Sequence, residues 1–175
     1  MKKFNNIKGV FFDLDGTLFD TAPEIIFATN QMLKDLSLHE LERNLIKSFI
    51  GKGADNLIRK SISSASKKDP EVLFKEAKEL FNKYYILNAG QSLTYDGVER
   101  ALIELKKKKL ILACVTNKPE IFTQLILEGS GLVSYLDLVV SGDTVDKKKP
   151  HPMPIKHSCD VLALKPKEAI MVGDS

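Results

Sequence analysis

The chain has 175 residues, of which 43% are hydrophobic and 28% charged, and its formal net charge at pH 7 is +3. These values are typical of a globular protein with one buried domain and a small insertion. The small net charge and the restriction of arginine to Arg43, Arg59 and Arg100 argue against nucleic-acid binding. No stretch approaches the ~20 apolar residues of a membrane span.

The N-terminus and the cysteines together indicate a cytoplasmic protein. Met1-Lys2-Lys3 could begin a signal peptide, but the apolar run before Asp13 has only about six residues, shorter than a signal peptide's apolar region. Cys114 lies within an apolar run, and its spacing from Cys159 fits no metal site, so we expect reduced core cysteines.

The first predicted element is a buried parallel strand over residues 7–12, which ends in two carboxylates. In an open α/β sheet the ligand crevice lies beyond the carboxyl ends of the strands, so Asp13 and Asp15 are expected at the mouth of a site. Two carboxylates beside Phe11 and Phe12 are costly to bury unpaired. We therefore expect a metal ion, a lysine or water next to them.

This pair of carboxylates suits phosphoryl transfer. One carboxylate can attack a phosphoryl group, and the other can exchange a proton with the leaving group and then with water. Gly16 allows the backbone to approach a phosphate, Thr17 can tie the turn, and Mg²⁺ is the expected cation. The alternative is a loop in which Asp13 and Asp15 face solvent.

After this strand the apolar spacing becomes helical. The pattern predicts helices over 22–36 and 38–49, helices that begin at Ala54 and Pro70, and a polar linker over 61–69. Pro23 fits the first turn of the first helix, with Thr21 or Asp20 as its N-cap. No strand pattern occurs between Thr21 and Ala89, so this region is expected to be an all-helical cap domain over the site.

Gly51-Lys52-Gly53 interrupts the predicted helices. A lysine between glycines at a helix N-terminus can bind a carboxylate through its charge and through backbone N–H groups. An ordinary turn with a solvated lysine remains the alternative.

The second half of the chain alternates helices and strands. We predict helices over 98–105, 121–127 and 154–162 and buried strands over 110–115, 136–141 and 169–172. Lys106 to Lys109 are interpreted as a solvated helix end rather than a nucleic-acid patch.

Polar residues follow the strands in this half as they follow the first one. Thr116, Asn117 and Lys118 come after the second strand, and Asp174 comes after the fourth. Three strand ends, carrying Asp13, Thr116 and Asp174, are therefore expected to converge on one crevice.

Two further segments between the third and fourth strands carry reactive side chains. Pro150 stiffens the backbone after Lys147-Lys148-Lys149, which is otherwise typical of a solvated run. The spacing of His151, His157 and Cys159 fits no zinc pattern, so we expect structural or solvated roles for them.

Asp13-Leu14-Asp15-Gly16-Thr17-Leu18, after an apolar strand and before Asp20, resembles the first motif of the haloacid-dehalogenase superfamily of phosphohydrolases. Thr116, Lys149 before Pro150, and Asp174 follow in the family's order. The resemblance implies an α/β fold with a Rossmann-like parallel sheet core. It places the core in residues 1–20 and 91–175 and a small all-helical cap in residues 21–90.

The resemblance also implies a role for each motif residue. Asp13 corresponds to the nucleophile and Asp15 to the general acid/base. The implied phosphate-binding residues are Thr116, Lys149 and, as a further donor, Asn117. The Asp13 carboxylate, the Asp15 backbone carbonyl and Asp174 correspond to the family's Mg²⁺ ligands.

Two segments are similar to bacterial phosphoglycolate phosphatases: Gly51 to Leu57, and Tyr95 to Val98. This similarity implies a small phosphorylated metabolite, 2-phosphoglycolate, as substrate, with Lys52 and Gly53 reaching it from the cap. Met153 departs from the acidic residue often found at that point. A sugar phosphatase or phosphomutase remains an alternative, a dehalogenase needs no second carboxylate such as Asp15, and the oligomeric state stays open.

In the family, the motif at Gly173-Asp174-Ser175 continues into a second acidic residue, a helix and a further strand. We therefore expect a C-terminally truncated member whose fourth strand is an exposed sheet edge. An inactive remnant that binds phosphate or a partner is the alternative to an enzyme.

Overall fold

The structure is a computed structural model that describes residues 6–174. Met1-Lys2-Lys3 and Ser175, to which predictions above refer, lie outside the described residues. The strands are β1 (Gly9–Phe12), β2 (Phe19–Asp20), β3 (Leu93–Thr94), β4 (Ile111–Val115), β5 (Leu138–Val140) and β6 (Ala169–Val172). The α-helices are α1 (Ala22–Asp35), α2 (Arg43–Lys47), α3 (Ala54–Ala65), α4 (Pro70–Ala89), α5 (Val98–Lys107), α6 (Glu120–Ser130) and α7 (Met153–Val161). Two short 3-10 helices cover Leu132–Tyr135 and Pro166–Glu168, and within residues 6–174 no helix is long and apolar enough to cross a membrane.

Four strands form a parallel sheet in the order β5-β4-β1-β6. All four residues of β1 are buried, because this strand pairs on both sides: Phe12 is in register with Cys114 and with Val172. The predicted α/β class and parallel sheet are confirmed. In this sheet β6 is an edge strand, and Met171 and Val172 are partly exposed.

The alternation of side chains along β1 and β4 produces two cores, one on each face of the sheet. Phe11, Ala113 and Val115 pack with Val140 and with Cys159 of α7 on one face. The other face joins a larger continuous core that includes the buried residues of α1 to α4 and of α6. β1 and β4 are therefore covered on both sides, as continuously apolar parallel strands require.

The helical segment α1–α4 leaves and re-enters the rest of the chain through adjacent strands. β2 and β3 pair antiparallel, with Phe19 opposite Thr94 and Asp20 opposite Leu93. Two-residue strands have no measurable periodicity, and the sequence pattern did not predict this pair.

Two predicted elements differ from the structure in extent. The helix expected over 38–49 is reduced to α2, because the Asn30 side chain holds the backbone of Leu41 in a loop through two hydrogen bonds of 3.0 and 3.1 Å. The polar linker expected over 61–69 begins later, because α3 continues to Ala65 and the hydroxyl of Ser61 is buried and donates to the Leu57 carbonyl.

Candidate active site

The carboxyl ends of β1, β4 and β6 carry the predicted residues. The N–H of Asp13 donates to the carbonyl of Val172 (2.8 Å), so the residue after β1 is fixed beside the end of β6. The N–H of Thr116 donates to the carbonyl of Val140 (2.9 Å), which fixes the residue after β4 beside the end of β5. Asp13 and Thr116 line the same cavity.

The Asp13 carboxylate is held at both oxygens. Oδ1 accepts the N–H of Leu14 (2.8 Å), and Oδ2 lies 2.7 Å from the Nζ of Lys149. The Lys149 and Asp13 side chains are 17% and 12% exposed. A largely buried carboxylate of this kind requires a cationic partner, and the loop after β5 provides it.

The Asp15 carboxylate is held at one oxygen only. Oδ1 accepts the hydroxyl of Thr21 (2.6 Å) and lies 2.8 Å from the Nζ of Lys118. Oδ2 accepts no hydrogen bond from the residues that the structure describes. Of the two expected caps of α1, Thr21 occupies the N-cap position, but its hydroxyl bonds Asp15 and makes no cap hydrogen bond. The Asp20 carboxylate accepts the N–H of Ala22 at 3.4 Å.

The ion pair between Lys118 and Asp15 is a contact that the sequence did not predict. The Lys118 side chain is 5% exposed, and its Nζ lies 4.8 Å from the ring centroid of Tyr85 in α4. Burial alone lowers the pKa of Lys118, but the Asp15 carboxylate and Tyr85 outweigh burial and raise this pKa above its usual range. Lys118 is therefore an ammonium ion at neutral pH. The contact joins residues far apart in the chain, so no local pattern indicates it.

The two residues before Lys118 have different surroundings. Thr116 is buried, and its Oγ1 accepts the N–H of Lys118 (3.2 Å) while its own hydroxyl proton stays available. The Asn117 amide donates to the carbonyls of Gly51 (2.8 Å) and Lys149 (2.9 Å) and accepts the N–H of Lys149 (2.8 Å).

These three bonds use both side-chain protons of Asn117. They correct the expectation that this side chain donates to a phosphate. Asn117 instead ties the Gly51 loop and the Lys149 loop to the end of β4.

Asp174 and the turn after β1 form an oxygen-rich region. Gly16 has φ of +75°, and a Cβ built on it would collide with the Asp174 carboxylate. A Cβ on Gly173 would lie 3.6 Å from the Cβ of Asp13. Gly173 is therefore close to Asp13, and Asp174 is the next residue in the chain. Within residues 6–174 no three His, Cys, Asp or Glu side chains group as a metal site. The set implied by the resemblance contains two carboxylates and one backbone carbonyl.

The two predicted cap residues occupy different places. Gly53, with φ of +89°, lines the cavity that contains Asp13 and Asp15. Lys52 is exposed and lines a separate, outer cavity beside Lys149 and His151. The neighbouring Lys148 approaches Gly53, since its Nζ is 3.0 Å from the position of a Cβ on that glycine.

The inner cavity combines a polar floor with an apolar roof. The floor contains Asp13, Asp15, Thr116 and Lys118. The roof is formed by side chains of the helical segment and of α6: Ile25, Ile50, Leu57, Phe81, Tyr85 and Phe122.

The sequence is similar to those of known hydrolases. A family model described as haloacid dehalogenase-like hydrolase matches residues 10–175. A phosphoglycolate phosphatase from Nitrosospira multiformis is 42% identical over 171 residues, which cover 97% of this chain and 75% of that protein. One from Thiobacillus denitrificans is 37% identical with the same coverage.

Among solved structures, a predicted phosphoglycolate phosphatase from Haemophilus somnus 129PT superposes with a TM-score of 0.92 at 36% identity. The match covers 98% of this chain and 79% of that one. The family assignment is the same from three findings. The family model spans nearly the whole chain, the relatives are more than 35% identical, and the fold is shared. The chain belongs to the haloacid dehalogenase-like hydrolases.

Proposed function

We propose that this hydrolase cleaves a phosphate monoester, with Asp13 as nucleophile and Asp15 as general acid/base. A carboxylate oxygen of Asp13 forms a bond to phosphorus as the bond to the leaving oxygen breaks, and Asp15 gives that oxygen a proton. Asp15 then takes a proton from water, which attacks the phosphorus of the aspartyl-phosphate, releases phosphate and restores Asp13. The observation that carries the proposal is that both carboxylates border one cavity and each has its own lysine at 2.7 or 2.8 Å.

The hydrogen bonds around the two carboxylates suit these different roles. Asp13 is held at both oxygens, which fixes the direction of attack. Asp15 keeps Oδ2 free of the described residues, so this oxygen can exchange a proton with a leaving group. Thr116 and Lys149 are the proposed donors to the phosphoryl oxygens, and Asn117 positions Lys149 through two of its backbone bonds.

Mg²⁺ is the proposed metal, held by the Asp13 carboxylate, the Asp15 carbonyl and Asp174. The fit is supported by the hard oxygen character of these ligands and by Gly16, whose missing side chain leaves room for the Asp174 carboxylate. When bound, Mg²⁺ neutralises charge on the phosphoryl oxygens.

The proposed substrate is 2-phosphoglycolate. Relatives that are 42% and 37% identical to this chain over 171 residues carry that activity in their names. The roof of the inner cavity is largely apolar, so a sugar would bury hydroxyl groups without partners, at about 1–3 kcal/mol each. A short leaving group with a single anionic end avoids this cost, which favours phosphoglycolate over the sugar phosphates.

The test measures release of inorganic phosphate from 2-phosphoglycolate and from hexose phosphates, with Mg²⁺ and with a chelator. The chain is expected to act on 2-phosphoglycolate only with Mg²⁺, and Asp13→Asn to lose at least about 10³-fold in kcat. Asp160→Asn, which removes an exposed carboxylate of α7 outside the inner cavity, is the matched control and should retain activity.

Two results would contradict the proposal. Equal, background-level release from the unaltered chain and from Asp13→Asn would remove the enzymatic function from this polypeptide. Preference for a hexose phosphate would leave the phosphatase assignment intact and replace the substrate.

A further inference from the structure

A buried lysine, Lys118, borders the inner cavity. The Nζ of Lys118 contacts Asp15 at 2.8 Å, and Lys118 lines the cavity together with Asp13 and Asp15. It is the cavity's single cationic lining residue within the described part of the chain. Lys149 pairs with Asp13 and Lys118 pairs with Asp15, and of the two only Lys118 lines this cavity, so a second anionic group of the substrate would meet Lys118 there.

A second polar group lies beside Lys118 in the roof of the cavity. Tyr85 is almost fully buried, and its hydroxyl has no hydrogen-bond partner among the described residues. Its ring is fixed by Phe81, whose centroid is 5.5 Å away, and by Phe122 at 4.7 Å. A buried hydroxyl without a partner is uncommon in native proteins and is a place where a ligand group is expected.

The surroundings of these two groups restrict what can bind there. The remaining roof side chains, among them Ile25 and Leu57, are apolar and cannot solvate a charge. An ammonium ion and a hydroxyl together match the two oxygens of a carboxylate. Lys52, for which the sequence left open either carboxylate binding or a solvated turn, is exposed and lines the outer cavity, which also includes Asp13 and Lys149.

We propose that Lys118 and Tyr85 bind the carboxylate of the leaving group and so determine the specificity for a short anionic phosphoester. The proposal rests on the proposed function and deepens it. It assigns the two charges of the substrate to two lysines: Lys149 faces the phosphate, and Lys118 faces the far end. Tyr85 belongs to α4, so the helical segment contributes directly to substrate selection.

The experiment compares 2-phosphoglycolate with ethyl phosphate, which has the same two-carbon skeleton and no carboxylate. The measured quantity is the ratio of kcat/KM for the two substrates. Lys118→Met is expected to lower this ratio by about 10²-fold, because the carboxylate would lose its charged partner in a desolvated site. Tyr85→Phe should lower it by about 3- to 10-fold through loss of one neutral hydrogen bond. Lys75→Met, which removes an exposed lysine of α4 outside the inner cavity, is the matched control and should leave the ratio within about 2-fold.

The ratio separates specificity from a role in holding Asp15. If Lys118 only positions Asp15, Lys118→Met lowers kcat/KM for both substrates equally, the ratio is unchanged and the proposal is overturned. The proposal is also overturned if Lys52→Met lowers the ratio of kcat/KM and Lys118→Met does not. Circular dichroism checks folding, and if Lys118→Met does not fold, Tyr85→Phe decides: an unchanged ratio in that variant overturns the proposal.

Failure of the proposed function is visible in the unaltered chain alone. If that chain treats both substrates alike or cleaves neither, the substrate assignment fails and this inference fails with it, before any variant is measured. If the chain prefers 2-phosphoglycolate and Lys118→Met keeps that preference, the proposed function stands and only the inference is lost.

Discussion

Each of the two site carboxylates has its own lysine. Lys149 binds Asp13 from the loop after β5, and Lys118 binds Asp15 from the loop after β4. Two buried carboxylates separated by one residue would repel each other, and the two ammonium groups make the cluster close to neutral. Two independent partners suit the proposed roles of Asp13 as nucleophile and Asp15 as general acid/base on the same short turn.

The turn itself depends on a residue without a side chain. Gly16 has φ of +75°, and a Cβ there would collide with the Asp174 carboxylate. We predict that Gly16→Ala displaces Asp174 and raises the Mg²⁺ concentration needed for half-maximal phosphatase activity by at least about 10-fold. The measurement is a Mg²⁺ titration of phosphate release.

Gly131 provides the matched control, because its φ of +73° is nearly the same and nothing lies within 4 Å of its Cβ position. Gly131→Ala introduces the same backbone strain, about 1–2 kcal/mol of unfolding free energy, at the end of α6. It should therefore leave the Mg²⁺ requirement unchanged. Equal Mg²⁺ requirements in the two variants would show that strain, and not the contact with Asp174, is responsible.

At the level of elements, the sequence predicted the features that depend on local pattern. The apolar runs that became β1, β4 and β6, and the polar residues just after them, place Asp13, Thr116 and Asp174, because parallel strands end at one edge of a sheet. The pattern could not predict contacts between distant segments. The bond from Asn30 that shortens the second helix and the pairing of Lys118 with Asp15 each require the folded chain.

Asp137 joins three elements just before β5. Its carboxylate lies 2.8 Å from the Nζ of Lys106 at the end of α5 and accepts the N–H of Leu112 in β4 (2.8 Å). Burial opposes ionisation, but the Lys106 and Leu112 hydrogen bonds outweigh it and lower the pKa of Asp137. A carboxyl whose pKa is lower in the folded state than in the unfolded state stabilises the fold above the unfolded pKa, about 3.9, and loses this effect as the pH falls.

We predict that Asp137→Asn lowers the free energy of unfolding by about 1 kcal/mol at pH 7, a modest value because the side chain is 37% exposed. The difference from the unaltered chain should shrink as the pH falls below about 4 and vanish once Asp137 is protonated. Urea unfolding at several pH values measures it. Glu104→Gln, which removes an exposed ion pair with Lys107, is the control and should cost only about 0.3 kcal/mol at pH 7. A deficit in Asp137→Asn that persists undiminished at acid pH would contradict the assignment.

At the level of the whole molecule, the helical segment and the sheet share one core. The buried residues of α1, α3 and α4 belong to the same apolar cluster as Val10, Phe12 and Leu112 of the sheet. Aromatic side chains of α4 and α6 continue this core at the inner cavity. Phe81 and Tyr85 pack against Phe122 at centroid distances of 6.4 and 4.7 Å. We therefore expect the helical segment and the sheet to unfold together.

The variant Phe122→Ala tests whether the helical segment and the sheet unfold together. Phe122→Ala removes a buried ring from the contact between α4 and α6 and should lower the free energy of unfolding by about 3–4 kcal/mol. Ile121→Ala, at the exposed neighbouring position of α6, should cost no more than about 0.5 kcal/mol. Urea unfolding of each variant, in a background with Tyr95→Phe and Tyr135→Phe, is followed by far-UV circular dichroism and by tyrosine fluorescence. The two signals should give one coincident transition, because the remaining Tyr84 and Tyr85 in α4 report the helical segment while dichroism reports the whole chain. Separate transitions in the unaltered chain would mean that the shared core does not couple the two parts.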